Sequence, residues 1–97
     1  MKTVDEIKRI LLEKKEEMAE KYNVKEIGIF GSFVRGEQKK KSDIDILVEF
    51  EVPISMFKFL EFEEYLEGLL GVKVDLVSKK ALKPRIGKHI MKEVILI

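Results

Sequence analysis

The sequence predicts an α/β (α+β) domain in which helices flank a small mixed β-sheet. Two observations support this: apolar residues recur at helical spacing in three segments, and they alternate at strand spacing in three shorter segments between them. With 97 residues and 45% hydrophobic content, the chain has the size and composition of one globular domain. We therefore expect residues 1–97 to form a single domain.

The N-terminal segment predicts one long helix. Thr3 and Glu6 match a capping box, in which each side chain satisfies a backbone N–H group of the first turn. Apolar residues continue at helical spacing to about Tyr22, and Asn23 is expected to end the helix.

The next segment predicts two strands joined by a turn and a loop. A strand is expected over 24–30, a turn and the start of a short helix over 31–36, and an exposed loop over 37–41. A second strand is expected over 43–50, with its alternate isoleucine and valine side chains facing the core.

A second long helix is predicted after Pro53 breaks the second strand. Ser55 is its expected N-cap and Gly71 marks its end. The apolar positions of this helix cover an arc wider than the ~100° stripe that one core requires. Part of the arc is therefore expected to contact another protein.

The C-terminal segment predicts a third strand and a last helix. The strand is expected over 72–77 and the helix over 80–92, opened around Pro84. The apolar tail 94–97 is expected to pack back on the sheet or into a partner, because its exposure would invite association.

Composition excludes several classes of protein. The formal net charge of +1 provides no global field for nucleic acid or an acidic membrane, and no apolar run approaches the ~20 residues of a membrane helix. The chain has no cysteine, so disulfides and thiolate metal sites are excluded. The N-terminus lacks the apolar core of a secretion signal. We therefore expect a cytoplasmic protein.

Three aspartates are the candidate metal ligands. Asp43 and Asp45 alternate along the second strand, so their side chains project to the same face, roughly 7 Å apart at Cα. Neighbouring carboxylates repel each other unless a cation lies between them. Asp75 on the third strand would join them if the two strands are neighbours. Such oxygen ligands suit Mg²⁺, and two ions would hold a nucleoside triphosphate.

The turn at Gly31 and Ser32 is the candidate phosphate-binding element, ten residues before Asp43. Glycine lets the backbone approach a phosphate closely, and the following amides favour an anion. Ser32 can add a hydroxyl donor, and Arg35 can place its guanidinium on a phosphate oxygen.

Together these motifs form a specific pattern that extends over almost the whole chain. They are Gly31-Ser32-Phe33-Val34-Arg35-Gly36, Ser42-Asp43-Ile44-Asp45-Ile46-Leu47-Val48 and Val74-Asp75-Leu76-Val77. The pattern resembles the minimal nucleotidyltransferase (MNT) family of the polymerase β-like nucleotidyltransferase superfamily. The resemblance implies the nucleotidyltransferase fold, with Mg²⁺ on Asp43, Asp45 and Asp75. It also implies triphosphate on Gly31, Ser32 and Arg35, and Asp75 as the general base.

The same resemblance implies a partner and a reaction. MNT proteins are commonly paired with a HEPN-domain ribonuclease in a toxin–antitoxin system. Members that resemble this chain transfer AMP from ATP to a tyrosine of the HEPN toxin, which silences it. The resemblance therefore implies an ATP-dependent protein adenylyltransferase that acts as an antitoxin within a complex with its toxin.

Three alternatives remain open on the residues themselves. A non-catalytic antitoxin would neutralise its toxin by direct binding, as the wide apolar arc and the apolar tail would allow. Transfer to a small molecule is less favoured, because 97 residues leave little room for a second substrate pocket. Nucleic acid as the acceptor is disfavoured by the near-zero net charge.

Overall fold

The computed structural model describes residues 3–36 and 43–97, which form a four-stranded mixed sheet with helices on both faces. The predicted loop over 37–41 lies outside the described residues. The elements in chain order are α1 (Val4–Glu13), α2 (Lys15–Tyr22), β1 (Val24–Phe30), β2 (Ile44–Phe50), α3 (Met56–Leu70), β3 (Val74–Ser78), a 3₁₀ helix (Lys79–Ala81), α4 (Pro84–Glu93) and β4 (Ile95–Leu96).

The strands lie in the order β3-β2-β1-β4. β1 pairs antiparallel with both β2 and β4, whereas β2 and β3 are parallel neighbours. Parallel strands need a crossover connection, and α3 provides it here. The mixed sheet flanked by helices is therefore confirmed, and so is the adjacency of the second and third strands.

Successive residues of β1 enter different cores, because strand side chains alternate between the faces of the sheet. Ile27 and Ile29 belong to the larger core, which includes buried residues of α1, α2 and α3. Phe30 belongs to a smaller cluster with Leu47 of β2 and Ile90 of α4. The predicted inward face of the first strand is therefore confirmed.

The first predicted helix is divided into two. The capping box at Thr3 and Glu6 is present, but α1 ends at Glu13 and α2 begins at Lys15. The Lys14 N–H lies 3.3 Å from the Ile10 carbonyl oxygen and 3.2 Å from that of Leu11. This shared bond tightens the turn locally, as in a 3₁₀ helix, so the prediction of one continuous helix was wrong.

Further segments of the chain differ from the prediction. β3 begins at Val74 rather than at residue 72, because its parallel pairing with β2 starts where Val74 lies opposite Ile44. Residues 31–36 form turns without a helix. The last helix begins at Pro84, whose fixed φ suits the first helical position, and a separate 3₁₀ turn precedes it.

The caps of α3 are as predicted. Ser55 Oγ accepts the Lys58 N–H at 3.1 Å, and Gly71 ends the helix with φ +71°. One side of the helix is buried in the core, whereas the side chains of Met56 and Phe57 are 70% and 86% exposed. The wide apolar arc thus leaves part of the helix surface uncovered in this chain.

The C-terminal tail packs on the sheet. β4 pairs with β1, and the Ile97 N–H donates to the Ile27 carbonyl at 3.0 Å. A Cβ at Gly28 would lie only 2.7 Å from Val94 Cγ2, so a side chain there would push the tail away. Within the described residues, 3–36 and 43–97, no helix is long and apolar enough to cross a membrane.

Candidate active site

Asp45 and Asp75 lie side by side where β2 and β3 begin. They are paired in the parallel register, at a position where neighbouring strands are about 4.8 Å apart. Asp43 directly precedes β2 and is exposed. Ile44 and Ile46 enter the larger core, so Asp45 faces the opposite side of the sheet. The structure therefore brings the predicted carboxylates to one end of the sheet.

The pKa of Asp45 is raised by burial and by the neighbouring carboxylates. Burial, the negative charge of Asp75, a hydrogen bond with Asp75 and the charge of Asp43 raise this pKa to about 6, while Arg35 opposes the rise. Such a pair of carboxylates binds either a proton or a cation at neutral pH more readily than an isolated aspartate. The electrostatics therefore favour a positively charged ligand at this place.

Mg²⁺ fits the donors that are present. The side chains of Asp45 and Asp75 offer hard carboxylate oxygens. Mg²⁺ typically takes one or two carboxylates and completes its coordination shell with phosphates and water. Among residues 3–36 and 43–97, no three acidic, histidine or cysteine side chains already form a set that could hold a metal ion. The fit is thus to the pair Asp45 and Asp75, with substrate oxygens supplying the remaining ligands.

Gly31 brings the backbone directly against Asp45. Its φ is +84°, a conformation that side chains disfavour, and a Cβ there would overlap Oδ2 of Asp45. The Gly31 carbonyl accepts the N–H groups of Val34 (3.1 Å) and Arg35 (3.2 Å), which closes the turn. The sequence motif suggested close approach to a phosphate; the structure shows that this glycine also makes room for a predicted metal ligand.

Ser32 and Phe33 begin the turn after Gly31. Phe33 is buried in the larger core and anchors the turn, whereas Ser32 is half-buried. In the part of the chain that the structure describes, neither residue's N–H has a hydrogen-bond acceptor. These amides therefore remain donors for an anionic ligand.

Glu93, the last residue of α4, joins the site although no motif indicated it. Its Oε1 accepts the Gly31 N–H at 3.1 Å, and its two oxygens accept from Arg35 Nη1 at 3.1 and 3.0 Å. Burial acts to raise the pKa of Glu93, but the hydrogen bonds from Arg35 and Gly31 outweigh it and lower the pKa. Glu93 is therefore ionised at neutral pH. Gly31 and Glu93 are 62 positions apart, so short-range spacing gives no signal for this contact.

The raised pKa of Asp45 predicts an unusual effect on stability. Its pKa is about 6 in the folded chain and 3.8 as a model group, so the folded state binds the proton more tightly. Stability conferred by the protonated form is therefore lost as pH rises from about 3.8 to about 6. Without divalent cations, we expect Asp45→Asn to raise Tm at pH 7 and to change it little at pH 4.

Thermal unfolding followed by circular dichroism measures this effect. Asp5→Asn is the matched control, because Asp5 lies in the first turn of α1, on a different element from the carboxylate group. Equal Tm shifts for Asp45→Asn at both pH values would contradict the prediction.

Comparison with known proteins identifies relatives over the whole chain. The family model for the nucleotidyltransferase domain matches residues 11–97. A protein adenylyltransferase, MntA of Thermococcus cleftensis, is 54% identical over 97 residues, which cover 100% of this chain and 98% of the relative. A solved structure provisionally described as a minimal nucleotidyltransferase is 32% identical, with a TM-score of 0.75 over 92% of this chain and 93% of that one.

Two more distant solved structures share the fold. A toxin–antitoxin structure with AMP-PNP has a TM-score of 0.71 and 23% identity, covering 87% of this chain and 69% of that one. A complex of a tri-AMPylated HEPN toxin from Shewanella oneidensis with its MNT antitoxin has a TM-score of 0.65 and 19% identity, covering 91% and 69%. At these identities the likeness concerns the fold alone.

Proposed function

This chain belongs to the nucleotidyltransferase domain family and is a nucleotidyltransferase, and on that premise we propose that it transfers AMP from ATP to a tyrosine of a HEPN-domain toxin. The observation that supports this most directly is the pairing of Asp45 with Asp75 against the Gly31 turn. The protein adenylyltransferase name of the 54% identical relative supports adenylyl transfer to protein. The fold neighbours, one with AMP-PNP and one with an AMPylated HEPN toxin, support the donor and the partner.

The proposal gives each site residue a role. Asp43, Asp45 and Asp75 would hold two Mg²⁺ ions, and Gly31, Ser32 and Arg35 would hold the triphosphate. When bound, Mg²⁺ neutralises the triphosphate and polarises the α-phosphorus for in-line attack. Asp75 accepts the proton of the tyrosine hydroxyl. A bond then forms between the tyrosine oxygen and the α-phosphorus, the bond from that phosphorus to its bridging oxygen breaks, and pyrophosphate leaves.

A macromolecular acceptor suits the exposure of this site. Asp43 and Asp75 are both exposed, so a side chain presented by another protein can reach the carboxylates from solvent. In this proposal the partner also supplies part of the acceptor pocket. We therefore propose a hetero-oligomer of this chain with its HEPN toxin.

The direct test is transfer of label from ATP. We expect the chain, incubated with α-labelled ATP, Mg²⁺ and a HEPN-domain toxin, to label a tyrosine of that toxin. Chelation of Mg²⁺, or the double change Asp43→Asn and Asp45→Asn, should remove the label, whereas Asp5→Asn in the exposed first turn of α1 should keep it. Peptide mass spectrometry identifies the modified residue. Absence of label while ATP binding is intact would overturn the enzymatic proposal.

Neutralisation by contact alone is the second candidate, and the uncovered surface of α3 favours it. Met56, Phe57 and Leu60 are exposed there. A growth assay with co-expressed toxin separates the two functions, using the same double aspartate variant. Full neutralisation by that variant would support contact, and loss of neutralisation would support transfer.

A further inference from the structure

We propose that Glu93 is a positioning residue for the triphosphate, which holds the Gly31 turn and the Arg35 guanidinium in their binding arrangement. This inference rests on the proposed function, because it concerns the same ATP site. It assigns a role to a residue of α4 that lies outside every nucleotidyltransferase motif in the sequence.

The first support is the direction from which Glu93 reaches Gly31. In the pairing of β1 with β4, Gly28 lies opposite Leu96 and Ile29 opposite Ile95. Continuing this register places Gly31 opposite Glu93, and the Gly31 N–H indeed donates to the Glu93 carboxylate. The side chain thus replaces the next backbone partner of the ladder. It holds the turn from the β4 side, whereas Asp45 lies on the other side of the glycine.

The second support is the position of Arg35. Nη1 donates to both carboxylate oxygens of Glu93, at 3.1 and 3.0 Å. The guanidinium is therefore anchored by the same carboxylate that accepts the Gly31 N–H. A triphosphate bound at Asp45 would meet an arginine whose orientation is already set, which reduces the ordering cost of binding.

The third support is the partial exposure of the contact between Glu93 and Arg35. The side chain of Glu93 is 20% exposed and that of Arg35 is 43% exposed. An ion pair this accessible contributes little to folding. Its carboxylate nevertheless accepts from a backbone N–H and a guanidinium together, an arrangement that fixes geometry more than it stabilises the fold.

A competing role for Glu93 would change ATP affinity in the opposite direction to a positioning role. If Glu93 competed with phosphate for Arg35 and Gly31, its removal would tighten ATP binding. If Glu93 positions these groups, its removal weakens ATP binding. The affinity of the free chain for ATP therefore distinguishes the two.

The experiment measures ATP binding in the presence of Mg²⁺ by isothermal titration, together with KM and kcat for transfer. We expect Glu93→Ala to raise the Kd and KM for ATP by about 10- to 100-fold, as loss of a supporting partner does at comparable sites, with a smaller change in kcat. Glu93→Gln should be intermediate, because its amide oxygen can still accept the Gly31 N–H. Lys92→Ala on the same helix is the matched control and should bind as wild type.

Two further measurements exclude a merely structural role. The Tm of Glu93→Gln should stay close to that of the wild type while its Kd rises. In an Arg35→Ala background, Glu93→Ala should weaken ATP binding much less than it does alone, because part of its effect passes through Arg35. Wild-type or tighter ATP binding by both Glu93 variants would overturn the inference. If the wild-type chain itself failed to bind ATP, the proposed function would fall first, and this inference with it.

Discussion

Replacing Asp75 by Asn should lower the rate of adenylyl transfer by about 10²- to 10⁴-fold, the range that a general base contributes. Asn has the same shape but cannot accept the proton of the attacking hydroxyl. It also removes the charge that helps raise the pKa of Asp45, so that pKa should fall towards its usual value. ATP affinity should fall less than kcat, because Asp43, Asp45, the Gly31 turn and Arg35 remain to hold Mg²⁺ and the triphosphate.

Single-turnover transfer and ATP titration measure these two quantities separately. Asp5→Asn removes a carboxylate from the exposed first turn of α1 and should leave both unchanged. If Asp75→Asn kept a rate within a few-fold of the wild type, Asp75 could not be the base.

Replacing Gly31 by Ala should be the most damaging single methyl addition in this chain. The backbone at φ +84° costs a residue with a side chain about 1–2 kcal/mol of stability. The new methyl group would also overlap Oδ2 of Asp45 and displace that carboxylate. Since misplacement of a reacting group by 1 Å can cost on the order of 100-fold in rate, we expect at least such a loss of transfer.

Gly36→Ala separates the two effects of this change. Gly36 has a similar φ of +74°, but a Cβ there would meet no atom within 4 Å. We therefore expect a comparable loss of stability without a comparable loss of rate. Urea unfolding and initial rates of transfer measure the two effects. Similar rates for the Gly31 and Gly36 variants would show that contact with Asp45 does not matter.

We expect the charge of Asp45 to lower the stability of the fold while it is required for the proposed reaction. Asp45→Asn should stabilise the cation-free fold at neutral pH and yet abolish the proposed reaction. Natural active sites commonly hold such unfavourable groups, because the ligand or the transition state compensates for them.

Local patterns in the sequence determined much of the fold. An N-cap depends on one side chain and a backbone group three residues away, and a glycine ends a helix through its own left-handed conformation, so Thr3, Ser55 and Gly71 could be assigned without a structure. The two-residue period of a strand likewise placed Ile27 and Ile29 inward, and Asp45 on the face opposite to Ile44. The break at Lys14 was missed, because no proline or glycine marks it.

The candidate site was predicted in part for the same reason. Asp43, Asp45 and the Gly31 turn are separated by short stretches of chain, and their spacing forms a recognisable motif. Their roles as ligands, and that of Asp75 as base, stay predictions that the proposed variants test.

Only the tertiary structure decided which distant residues meet. The pairing of Asp45 with Asp75 depends on the parallel register of β2 and β3, which the α3 crossover and the core packing set together. The contact of Glu93 with Gly31 and Arg35 depends on the return of the C-terminal tail to β1. Strand register and chain return arise from the packing of many side chains at once, and no local spacing encodes them.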